Sequence, residues 1–134
     1  MPWYGFIHPA LAIITMIYGV IIAQTSVSRL QDWNYPLRKQ RSRSIVFFVL
    51  CIANLVLGYM VSRAPRIDVK LTFHLPMAII VSVLALFAMI ATFTRSTKPG
   101  KLSPFMHWHP WFIIIGVVFT LTMGFIGLLA AFGI

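Results

Sequence analysis

Four stretches of this chain carry no Lys, Arg, Asp or Glu: Trp3–Ala23, Ile45–Val61, Leu71–Phe93 and Pro110–Ile134. Crossing a hydrocarbon core takes roughly 20 residues, about 17 at the low end, and each stretch meets that length. In lipid every backbone N–H and C=O must find its partner within the segment, so such stretches are helices. The 134 residues are 60% hydrophobic and 10% charged, which excludes an ordinary soluble protein. We read an all-α membrane protein, a single domain over 1–134, with transmembrane helices at about 3–25, 44–63, 71–95 and 109–133. Short connections predict an up-down four-helix bundle.

The first stretch lacks the basic leader of a signal peptide, since no charge precedes Arg29, and it is read as a helix. The segment before the second stretch holds Arg29, Arg38, Lys39, Arg41 and Arg43, and that before the fourth holds Arg95, Lys98 and Lys101: eight of the eleven basic residues. By the positive-inside rule loops 24–44 and 94–109 face the cytoplasm or stroma, and both termini face the non-cytoplasmic side. In a soluble protein a net charge of +9 would suggest nucleic acid. Here every charge lies close to a membrane face, so the expected partners are anionic lipid headgroups and other membrane subunits, not nucleic acid. The membrane is read as a bacterial inner membrane or a thylakoid.

Pro9 and Pro110 each follow a histidine and open an apolar run, a place that tolerates proline's missing N–H. The residue before proline is biased out of the α region, so His8 and His109 are expected to act as cap-like residues at the membrane rim. Trp3, Tyr4, Trp33, Tyr35, Trp108 and Trp111 fall where an aromatic belt would sit. Lys98 to Pro104 reads as a turn. Cys51, the single cysteine, reads as a core-filling residue, and Asn54 as an interhelical hydrogen bonder.

The four histidines carry the functional signal. Helices one and three both run inward, which brings His8 and His74 to comparable depth near one face. His107 and His109 open helix four from the opposite side. Two apart, they point to nearly opposite sides of a helix, and His109 is the better candidate for the interior. An imidazole placed in hydrocarbon is by default a functional candidate with a partner to be named, and paired imidazoles in a helix bundle suit the iron of a b-type haem. At about 100° per residue His8 shares a stripe with Gly19, and His109 with Gly116 and Gly127, while Ala78 and Ala85 lie beneath His74. Such small residues leave a slot for a macrocycle or serve direct helix contact.

With His8-Pro9 opening helix one, His74 early in helix three and Met106-His107-Trp108-His109 at helix four, the chain resembles the four-helix core of the cytochrome b-561 superfamily, in particular its short bacterial and cyanobacterial relatives. The resemblance implies that His8 and His74 hold one haem b, and that His107 or His109 is half of a second ligand pair. Helix two departs from the pattern. It reads Arg41-Ser42-Arg43-Ser44-Ile45 where a histidine is expected, so one haem is implied rather than two.

Two axial imidazoles leave iron no open position, so the expected function is a membrane electron carrier or electron-transfer subunit rather than an independent enzyme. The only acids, Asp32 and Asp68, lie in loops on opposite faces, which excludes a carboxylate pair for acid–base work. His107 and His109 alone are too few for zinc. The alternative is a non-catalytic accessory subunit of a photosynthetic or respiratory complex, its histidines binding chlorophyll singly or nothing. A small transporter or quinone-binding protein lacks any intramembrane charge to work with.

Overall fold

A computed structural model of the chain describes residues 6–29, 36–63 and 73–131, the side chains of Arg29 and of 128–131 excepted. Four helices make up most of it: α1 (Ile7–Arg29), α2 (Leu37–Ser62), α3 (His74–Phe93) and α4 (His109–Ala131). Each apolar segment is long enough to cross a membrane, and the protein is an integral membrane protein by that criterion. Two helices run past their expected ends toward the basic loops. α2 starts at Leu37 instead of about residue 44, and α1 continues to Arg29 instead of about 25. Arg, Lys, Gln and Leu are strong helix formers, and the Pro36 carbonyl accepts the Gln40 N–H at 2.9 Å to start α2. At 1.5 Å per residue the 26 residues of α2 reach about 39 Å, so its first turns project beyond a core of about 30 Å and carry Arg38 and Lys39 out of hydrocarbon.

The helices form a closed ring in which α1 and α3 each pack against α2 and α4. The starts of α1 and α3 meet where the His8 and His74 rings touch, and the end of α1 meets the starts of α2 and α4 through Ser26, Ser44 and His109. Neighbours in sequence are therefore antiparallel. Each helix buries one stripe at spacings of three and four: Thr15, Gly19, Ile22, Ser26; Gln40, Ser44, Phe47, Cys51; Val81, Ala85, Ala88, Thr92; Met106, His109, Ile113, Val117. This is the narrow seam of a left-handed bundle. Large apolar side chains such as Ile13, Ile17, Val49 and Phe125 point outward, as lipid as solvent permits.

Burial is uneven along the bundle axis. Among the described residues, every fully buried side chain lies from about mid-depth to the basic-loop end. None is found before Thr15 in α1, after Cys51 in α2, before Val81 in α3 or after Val117 in α4. At the closed end the helices approach most tightly at Gly19, where an added Cβ would stand 2.7 Å from Val117 Cγ2 and 2.9 Å from Phe47 Cε2. In the half that carries His8 and His74 the described side chains are half-buried or exposed.

The prolines fit first turns as expected, but the preceding histidines stay helical. His109 has φ −51° and ψ −49°, and the 3-10 turn Pro104–Trp108 runs directly into α4 through it. His8 is the second residue of α1. The steric bias before proline is modest, and at His109 two buried hydrogen bonds outweigh it. Trp108 and Trp111 are exposed at the start of α4. Trp3, Tyr4, Trp33, Tyr35, Asp32 and Asp68 lie outside the described residues.

Candidate functional site

His8 and His74 face each other across the bundle diagonal in the half away from the basic loops. Their ring centroids are 5.9 Å apart with the planes inclined at 75°. Edge-on rings at this distance make an ordinary aromatic contact, so the surroundings decide what the pair can do. Nδ1 of His8 is buried and has no hydrogen-bond partner among the described residues. On its α2 side the His8 ring lies against Gly58, where a Cβ would stand 3.0 Å from Cε1 and 3.2 Å from Nε2. A larger residue there would press on the imidazole and require it to shift by a few tenths of an ångström. Further along α4, a Cβ at Gly124 or Gly127 would meet nothing within 4 Å.

These residues fit a group held between two imidazoles. Two imidazoles from different helices meet here, the His8 ring lies close against Gly58, and its desolvated Nδ1 lacks a partner among the described residues. Among the described residues no group of three or more His, Cys, Asp or Glu side chains comes together, and none of them adds a third ligand to the pair.

Of the two readings of the small-residue stripes, Gly19 and Ala85 take that of helix contact. Gly19 is filled by Phe47 and Val117, and Ala85 is packed into the core with Ile22, Phe47 and Ile113. Both positions serve helix contact.

His109 occupies the closed half and is fully buried. Its Nδ1 lies 3.0 Å from Ser26 Oγ on α1 and its Nε2 2.8 Å from Ser44 Oγ on α2. A neutral imidazole has one N–H and one lone pair, so one serine donates to the ring and the other accepts from it. With both nitrogens taken, this histidine joins three helices and has none left for a metal. Ser44 lies in the stretch of α2 where a second ligand is expected by resemblance. His107 is exposed in the 3-10 turn.

Asn54 donates from Nδ2 to Thr15 Oγ1 at 2.7 Å, linking α2 to α1, while Cys51 is free and buried in the core. The residues that sequence reasoning passed over are Gly58, Ser26 and Ser44. The signal that reveals them is the buried stripe itself, on which Ser26 and Ser44 fall in register with Ile22 and Phe47. Gln40 continues that stripe, fully buried, with its amide nitrogen and oxygen unpartnered among the described residues. Comparison with family models, with curated proteins and with solved structures finds no match to this chain.

Proposed function

We propose that the protein is a membrane electron carrier or electron-transfer subunit that holds one b-type haem between His8 and His74. The observation that carries this reading is the facing pair of imidazoles, with ring centroids 5.9 Å apart, in the half of the bundle where no described side chain is fully buried. A bound haem would supply a one-electron redox centre. His8 and His74 would hold the iron and leave it no free position for oxygen or substrate. Gly58 holds the His8 ring in place, and the packed core of Ile22, Phe47, Val81 and Ile113 closes the site from the basic-loop end. The Ser26–His109–Ser44 cluster argues for one haem rather than two, because it occupies the second ligand position with a satisfied hydrogen-bond network. The resemblance to the cytochrome b-561 superfamily and the placement of the basic loops on the cytoplasmic or stromal side belong to the same proposal. Both termini then face the other side of a bacterial inner membrane or a thylakoid.

The test is an optical spectrum of the full chain purified from membranes. The proposal predicts a Soret band and a reduced α-band that disappear in His74→Ala. A colourless preparation refutes it in favour of a structural subunit, and red-region absorbance refutes it in favour of chlorophyll.

A further inference from the structure

A second site lies at the opposite end of the bundle and is independent of the haem reading. A cleft of about 330 Å³ opens between the start of α2 and the connection from α3 to the 3-10 turn, and Arg41, Arg95, Lys98 and Lys101 all line it. Buried Ser103 and Met106 contribute to its wall. Neither of the chain's two carboxylates, Asp32 and Asp68, is among the described residues, so no described acid balances these four cations. Four cations around one cleft make it attractive to an anion.

One of the cations is already fixed. Nε and Nη2 of Arg41 donate to the Thr92 carbonyl at 3.1 and 2.8 Å, and its guanidinium lies 4.5 Å from the centroid of the Phe93 ring. That contact answers the negative end of α3 and holds the guanidinium at the cleft without further ordering. The loop is also organised from within. Thr94 and Ser103 join their hydroxyls, Ser103 Oγ accepts the Met106 N–H at 3.2 Å, and Lys101 N–H turns back to the Lys98 carbonyl at 3.3 Å across Gly100, whose φ is +72°. Arg95, Lys98 and Lys101 are exposed and able to close on a ligand.

We propose that this cleft binds a phosphate group, the fixed guanidinium of Arg41 setting its position and Arg95, Lys98 and Lys101 completing the charge. Arginine and lysine together are the usual phosphate-binding set. A basic pocket between transmembrane helices at the loop side suits an anionic phospholipid headgroup, and free phosphate offers the same chemistry.

Both sources are tested on the full chain in detergent. Retention of phosphatidylglycerol and of phosphatidylcholine is measured by native mass spectrometry, and uptake of radiolabelled inorganic phosphate by equilibrium dialysis. The comparison is between wild type, Lys98→Glu/Lys101→Glu, and the charge-matched control Arg38→Glu/Lys39→Glu, all checked for unchanged helix content. The expected result is selective retention of phosphatidylglycerol that falls about tenfold or more in the cleft variant and is kept in the control. Saturable, equimolar phosphate uptake without lipid selectivity, lost in the cleft variant alone, supports the site with free phosphate as its source. Equal losses in both variants, or no binding in either assay, overturn the proposal.

Discussion

Removing the Ser44 hydroxyl tests the polar cluster that joins α1, α2 and α4. Ser26, Ser44 and His109 are all fully buried, with contacts of 3.0 and 2.8 Å to the two ring nitrogens. In Ser44→Ala, Nε2 loses its partner in a place water does not reach. A buried polar group left unpaired costs about 1–3 kcal/mol in water-soluble proteins. Between membrane helices the coupling averages about 0.6 kcal/mol and reaches about 1.7, because the unfolded chain in the membrane also finds partners. The full burial of all three residues places this cluster at the upper end, so a loss of about 1–2 kcal/mol is predicted. In a double-mutant cycle with His109→Phe the coupling should be about 1 kcal/mol. The control is Thr122→Ala, whose exposed hydroxyl bonds only the Val118 carbonyl of its own helix and whose loss should stay within about 0.5 kcal/mol. Reversible unfolding in mixed micelles, followed by circular dichroism, gives both numbers. If Ser44→Ala unfolds like Thr122→Ala, the cluster does not join the helices.

Gly19→Val should destabilise the bundle by about 1–3 kcal/mol in the same assay, since even its Cβ would overlap Val117 and Phe47. Gly116→Ala, with nothing within 4 Å of the new methyl, should be neutral within about 0.5 kcal/mol. Phe47→Ala, emptying a fully buried ring site, should cost about 3–5 kcal/mol. Gly58→Leu should displace the His8 ring and lower haem per chain without loss of helix content, as read by absorbance against circular dichroism.

The four crossings were readable because lipid imposes one rule on every backbone group, and uncharged length is enough to meet it. The inner faces were harder to read. In a soluble bundle the buried stripe is the apolar one, but here Ile13 and Ile17 face outward while Thr15, Gly19 and Ser26 face in, so apolarity does not mark the core. Pairing His8 with His74 followed from threading alone, and the two rings do meet. Whether Gly19 serves a slot or a helix contact could not be decided from angular position on one helix, which says nothing of what the neighbouring helices bring; Phe47 and Val117 come from α2 and α4. Gly58 was invisible for the same reason, as its use depends on His8, fifty residues earlier in the chain and on another helix. The ends of α1 and α2 slipped outward because basic residues stop a hydrocarbon crossing without stopping a helix.

The most direct measurement is haem per polypeptide, by pyridine haemochrome against quantitative amino-acid analysis, in wild type and in single histidine variants. The account predicts one haem in wild type, in His107→Ala and in His109→Gln, and none in His8→Ala or His74→Ala. Two haems per chain, or a haem that survives loss of His8 and His74 but not of His109, would contradict it.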